Sequence, residues 1–163
     1  MKNLPSKFLY AMAFTIMALN TAYADFSSYE IFSHIVLNLP SEAKNETPWN
    51  KVITTTRDWD MFYSELLWDG SEPAYLYTAP VIDFDTYQLV AGGLGMQNSG
   101  GFSLSVQKVI EYSDSVLIDV LVIKPGENCS VTMAITYPTV AVLIKKTSKP
   151  LQFSLTNLTT DCS

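Results

Sequence analysis

The apolar positions of this chain change period once, and that change separates a single helix from a series of strands. Trp59, Phe62, Tyr63, Leu66 and Leu67 recur at i, i+3, i+4, i+7 and i+8, while Arg57, Asp58, Asp60, Ser64 and Glu65 take the opposite face. Thr55 or Thr56 can cap this helix, Asp58 lies in the first turn where the helix dipole favours an acid, and Asp69-Gly70 ends it. So short a helix is not stable alone, and its apolar face calls for a sheet to lie on.

The rest of the chain has the rhythm of strands. Residues 31–39 read as one strand and 40–48 as a loop; Val52-Ile53 is a short strand leading to the helix. Residues 71–80 (SEPAYLYTAP) form a connecting loop in which Tyr75 and Tyr77 alternate. Residues 87–93 read as one continuous buried strand, apolar or glycine apart from Gln88, as a strand covered on both faces does. Phe102, Leu104 and Val106 alternate with Ser103, Ser105 and Gln107, which leaves one face wet. Further strands are expected at 116–123, at 129–137 through Val131, Met133 and Ile135, at 140–145 and at 151–155. Tyr112-Ser113-Asp114-Ser115, Lys124-Pro125-Gly126-Glu127-Asn128 and Thr147-Ser148-Lys149-Pro150 supply turns, the second closing a hairpin. The fold class that follows is α+β: one domain, predominantly antiparallel β-sheet, with the amphipathic helix packed on it.

Five of the seven glycines fall between Gly92 and Gly101, inside the stretch IDFDTYQLVAGGLGMQNSGGFSLSVQKV. A strand, a glycine loop and a second strand result, and the loop has a specific backbone shape to hold. Gly92-Gly93-Leu94-Gly95 is not a phosphate loop, because it lacks the following Lys-Ser/Thr and precedes a strand.

The N-terminus changes the picture of where the chain works. Lys2 and Lys7 precede a twelve-residue apolar run from Phe8 to Leu19, followed by Ala22-Tyr23-Ala24. Residues 1–24 therefore read as a signal peptide, too short in its apolar run to span a bilayer. Export is the expected localisation, periplasmic or secreted, with no membrane span after cleavage. Residues 25–50 then supply an N-terminal strand and loop. The whole chain carries a net charge of −6. Loss of Lys2 and Lys7 leaves 8 basic and 16 acidic side chains, about −8, which disfavours nucleic acid and anionic membranes as partners. Cys129 and Cys162 are the only cysteines, and in an oxidising compartment they are expected to form a disulfide that ties down the tail at 156–163. The alternatives are reactive thiols or a metal pair with His34, the only histidine.

Candidate chemistry is sparse. Asp83 and Asp85 share a side at period 2 and could suit a calcium ion or an acid pair, though strand-entering acids facing solvent are commoner. His34 within an apolar run reads as a strand residue. Ser99 has one histidine in the chain as a conceivable base, and no G-x-S-x-G, H-E-x-x-H or Cys-His pairing occurs. No catalytic residue, metal or cofactor is expected. Asn45-Glu46-Thr47, Asn128-Cys129-Ser130 and Asn157-Leu158-Thr159 fit the glycosylation sequon.

The order of these pieces resembles the C-terminal domain of the protease complex subunit PrcB family over residues 51–155. That family runs as a strand, a helix with Trp near its start, a V-D-F lead-in, a buried strand ending in Gly, a P-T-G-G-Y loop and a late T-x-P-Y segment. Here the counterparts are Val52-Ile53, Trp59, Ile82-Asp83-Phe84, residues 89–95, Asn98-Ser99-Gly100-Gly101-Phe102 and Thr136-Tyr137-Pro138. Asn98-Ser99 stands for Pro-Thr, Phe102 for Tyr, and the late aromatic precedes its proline. The resemblance implies an exported, non-catalytic accessory protein whose partner is a protein, an exported protease among the candidates. The expected contact loop is Gln97, Asn98, Ser99, Gly100, Gly101 and Phe102, with Phe102 either anchoring or buried beneath; a purely structural loop is the alternative. The rival function is an exported small-ligand or glycan binder using Trp49, Trp68, Tyr75 or Tyr77.

Overall fold

The strand β4 (Tyr87–Gly93) is paired on both edges and covered on both faces, and the remaining elements are placed by what it needs. The computed structural model describes residues 30–40, 42–67 and 79–162. In one four-stranded sheet β4 lies between β3 (Trp49–Ile53) and β7 (Thr139–Lys145), with β2 (His34–Leu37) beyond β7. The other four-stranded sheet has the order β1-β5-β6-β8, comprising β1 (Glu30–Ile31), β5 (Ser103–Glu111), β6 (Val116–Pro125) and β8 (Leu151–Thr160). All pairs are antiparallel except β6 with β8.

Helix α1 (Thr56–Leu67) covers the outer face of the first sheet. Its Trp59, Phe62 and Leu66 pack with Ile53, Leu89, Ala91 and Ala141. The helix starts where the pattern requires: Thr55 Oγ1 accepts from the Asp58 backbone N–H at 3.2 Å and donates to the Asp58 carboxylate at 2.7 Å. An otherwise unpaired donor of the first turn is thereby satisfied. The buried Trp59 indole donates from Nε1 to Pro80 O at 2.8 Å, so its one polar atom costs nothing. The expected helix terminus at Asp69-Gly70 and the aromatics Trp68, Tyr75 and Tyr77 lie outside the described residues.

The second core lies between the sheets. Alternation places Val90, Val142 and Ile144 inward from one sheet and Val106, Val109, Val116, Ile118 and Val120 inward from the other. The result is three layers, helix on sheet on sheet, and it explains why β4 is buried on both faces and apolar apart from Gln88. Strand β5 keeps its alternation through a bulge between Val106 and Lys108. The extra residue lets Val109 point inward and Lys108 outward, where it meets Asp119 at 3.7 Å.

Four expectations are corrected. Residues 31–39 do not form one strand: β1 pairs with β5, and the chain then crosses at Phe32 to pair β2 with β7. Phe32 is buried between the sheets and holds that crossing, its N–H donating to Val109 O at 2.9 Å. Residues 124–128 do not close a hairpin, because β6 and the next strand, β7, belong to different sheets. From β7 the chain crosses back, so β8 arrives running in the direction of β6, and pairs with it in parallel to Thr160, beyond the apolar end at Leu155. Residues 129–137 carry no strand, only an isolated bridge between Thr136 and Gln97.

Ahead of β4, Asp83 shapes a turn rather than an acid pair. Its Oδ1 accepts from the N–H groups of Asp85 and Thr86 at 3.0 and 3.3 Å, and its carbonyl accepts from Tyr87 N at 2.9 Å. The hydroxyl of Thr86 and these backbone donors hold the Asp83 carboxyl below its ordinary value of 3.8.

Two predictions follow from the packing and the turn. Trp59→Ala should lower the unfolding free energy by about 3–5 kcal/mol, whereas Met61→Ala on the exposed face of α1 should stay within about 0.5 kcal/mol, both read by denaturant titration. A carboxyl whose pKa is depressed by folding stabilises above its unfolded value, and that stabilisation disappears as pH falls through the folded value. The difference in melting temperature between the wild type and Asp83→Ala should therefore be present at neutral pH and shrink below about pH 4.

Candidate functional site

Three loop segments meet at the end of the sandwich where β4 and β6 finish and β5 and β7 begin. The glycine loop, residues 94–102, joins β4 to β5; residues 126–138 join β6 to β7; and residues 42–48 lead into β3. Backbone hydrogen bonds knit them side by side. Gln97 and Thr136 exchange both bonds, at 2.8 and 3.0 Å, Gly100 N donates to Thr132 O at 2.9 Å, and Met96 N donates to Glu46 O at 3.1 Å. Thr136 Oγ1 adds a bond to Ser99 O at 2.9 Å, and Tyr137 N donates to the Glu42 carboxylate at 2.6 Å. With its donors and acceptors taken up in this way, the end of the molecule is a fixed surface rather than a set of independent loops.

The glycines have two different reasons to be there. Gly101 has a φ of 88°, a backbone conformation that costs an L side chain about 1–2 kcal/mol. Gly100 has no positive φ, but a Cβ on it would run into Thr132 Oγ1 unless that side chain moved. The loop sits against its partner segment because that atom is missing.

Of the six expected contact residues, Asn98 and Gly101 are exposed and Gln97, Ser99, Gly100 and Phe102 are half-buried. Phe102 lines a shallow groove with Leu39 and Pro138, below the outer surface of the loop. The conspicuous apolar groups at this end come from elsewhere: Met133 is 99 % exposed, Ile135 60 % and Met96 42 %. Residues 94–102 and 130–138 contain no ionisable side chain other than Tyr137, in a chain with 26 Lys, Arg, Asp and Glu. This patch of solvent-exposed methionine and isoleucine, with the charged Glu42, Lys44, Glu46 and Glu127 kept to the neighbouring segments, fits the charge-depleted centre and adaptable contacts of protein interfaces. Sequence reasoning missed Met133 and Ile135 because their alternation with Val131 looks like a strand. The signal that could have identified them is the buried Pro138 between that run and β7, which stops the ladder.

The disulfide forms between Cys129 and Cys162, closing a separation of 33 residues. It fastens the end of β8 to the same loop cluster, and Gly126 N donates to Thr160 O at 2.9 Å beside it. Cys129 lies in the connecting segment, not at the start of a strand. Among the described residues no group of three or more His, Cys, Asp and Glu is placed to hold a metal, and His34 turns its Nδ1 to Phe32 O at 3.2 Å. Trp49, one of the aromatics considered for a ligand site, instead packs against Phe62 with centroids 5.9 Å apart.

Residues 89–145 match the family model PrcB C-terminal. The matched stretch opens within β4, takes in the glycine loop, β5, β6 and the 126–138 segment, and closes with β7. It is about a third of the chain and contains both halves of the loop pair, whereas Trp59 and Ile82-Asp83-Phe84 fall outside it. Comparisons with curated proteins and with solved structures found no match. No described helix is long and apolar enough to cross a membrane.

Replacing both cysteines, Cys129→Ser with Cys162→Ser, should lower stability by roughly 3–4 kcal/mol on the chain-entropy view of a loop this long. The check is guanidinium unfolding together with hydrogen exchange, in which the amides at the C-terminal end of β8 should lose protection first.

Proposed function

We propose that this chain is an exported, non-catalytic accessory subunit that binds and steadies an extracytoplasmic protease, with the knitted loop end as its docking surface. The observation that carries the reading is the PrcB C-terminal match, which covers the loop pair from both sides. Several features support it. The facing stretches 94–102 and 130–138 carry no charged side chain, are hydrogen-bonded to each other and show Met96, Met133 and Ile135 to solvent, with Glu42, Lys44, Glu46 and Glu127 exposed in the adjoining segments; an apolar patch of this kind suits a protein partner. The disulfide suits an oxidising compartment, and the N-terminal signal reading agrees with it.

Residues 97–102 act in this proposal through shape. Asn98 and Gly101 contribute exposed backbone and an amide, while the apolar anchors come from the facing segment. The proper test of the surface therefore leaves the glycines alone, since a side chain at Gly100 would disturb the loop itself. Tagged protein recovered from the exported fraction should capture a protease, identified by its activity and by mass spectrometry. Met133→Asp with Ile135→Asp should reduce that capture by roughly tenfold or more, a loss of about 1.4 kcal/mol, with an unchanged melting temperature because both side chains face solvent. Absence of a protease from the wild-type capture would overturn the reading, and equal capture by the double variant would remove the surface from this end.

A further inference from the structure

The two sheets part on one side. Where β8 of one sheet faces β3 of the other, an apolar cleft of about 260 Å³ opens between them, lined by Val90, Ile118, Val120, Phe153 and Leu155 among others. On the opposite side the crossing at Phe32 closes the sandwich. The other residues of this core are buried or half-buried, yet Phe153, at 39 %, and Leu155, at 60 %, are exposed. These side chains point into a core that the described residues do not complete.

The strand at the mouth of the cleft is also an unprotected edge. β8 pairs with β6 on one side, and no described strand pairs with the other. Edge strands in stable monomers are kept short, or carry lysine, proline or a bulge. β1 has two residues, β2 four, and β3 carries Lys51. β8 has ten, LQFSLTNLTT, with no charge, no proline and no irregularity in its register with β6.

We infer that β8 is the dimer edge of this protein, and that a second copy adds its own β8 antiparallel to it, closing both clefts. A two-fold axis perpendicular to the sheet keeps the inner faces on the same side, so Phe153 and Leu155 of one copy meet the inner-facing residues of the other. The sheets β1-β5-β6-β8 of the two copies become one continuous eight-stranded sheet, with the β3 edges brought together beneath it.

Two arguments favour a second copy over a foreign peptide or a small apolar ligand. The first is charge. Copies of a chain at −6 repel, and an isologous contact must avoid setting like charges against each other; neither the ten residues of β8 nor the lining of the cleft contains an ionisable group. The second is area. A ten-residue edge is roughly 33 Å long and a two-sheet sandwich about 20 Å deep, so this contact covers on the order of 700 Å² per copy. Stable interfaces take about 800 Å² per partner. A small ligand could fill the cleft but would leave the ladder edge unpaired.

The edge is distinct from the loop end, so the test separates this inference from the protease reading. Sedimentation velocity of the oxidised protein across roughly 1–200 µM, a range spanning ordinary dimer affinities, should show a shift from one to two copies. Leu155→Lys should shift the midpoint to at least tenfold higher concentration while barely changing the melting temperature of the monomer, since the side chain is largely exposed there. Met133→Lys at the loop end should leave dimerisation untouched. A monomer at every concentration would overturn the inference, as would a dimer insensitive to Leu155→Lys. Exchange protection of residues 151–160 appearing only on addition of an apolar peptide or a fatty acid would overturn it too and assign the cleft to that occupant.

Discussion

The strand β4 can be buried on both faces only if something covers each of them, and that requirement organises the molecule. Its register with β7 runs from Tyr87 opposite Lys145 to Gly93 opposite Thr139, and with β3 from Ile53 opposite Leu89 to Trp49 opposite Gly93. Alternate residues therefore demand partners in opposite directions. Leu89 and Ala91 are met by α1, and Val90 by the second sheet. The helix cannot be dispensed with, because without Trp59, Phe62 and Leu66 one face of this sheet would stand in water. Nor can the second sheet, whose inward valines and isoleucines find no other cover.

The same geometry sets the loop end. A strand buried on both sides must emerge somewhere, and β4 emerges through glycines, where the chain turns against residues 42–48 and then lies along residues 132–136. The hydrogen bonds there run between segments that are distant in sequence, such as Gln97 to Thr136 and Tyr137 to Glu42. Rigidity at this end is thus borrowed from the sandwich below it and reinforced by the Cys129–Cys162 bridge at its rim. A surface of this kind presents Met133 and Ile135 at low conformational cost, because the backbone beneath them is ordered before any partner arrives.

How much was legible in the sequence depends on whether the signal was local. The helix, a threonine cap at Thr55 or Thr56 and the buried face follow from spacing alone, and the span of β4 follows from a stretch that is apolar or glycine apart from Gln88. The disulfide follows from there being only two cysteines. The connectivity was not legible. Nothing in residues 31–39 marks Phe32 as the point where the chain leaves one sheet for the other, since both halves have strand-like composition. The parallel pairing of β8 is a consequence of two successive crossings, which no single stretch encodes. In the candidate site, the glycines could be read as shape-setting, but exposure could not: Val131, Met133 and Ile135 alternate as a strand would, and only the tertiary structure shows Met133 and Ile135 in solvent.

The two apolar surfaces left over by this architecture have different physical origins, and that difference bears on how they would work together. The loop end is apolar because specific residues are displayed on a segment whose backbone is otherwise satisfied. The β8 edge is different: it is uncharged, its inward Phe153 and Leu155 are exposed, and no described strand pairs with its outer side, so its backbone groups as well as its side chains are open to a partner. A contact made by the first kind can be tuned residue by residue without affecting the fold. One made by the second kind is governed by strand pairing and is broken by a single inward charge or proline. Because the disulfide fastens β8 at its end next to the loop cluster, the open edge and the displayed end share one mechanical anchor, and reducing that bridge would loosen both surfaces at once.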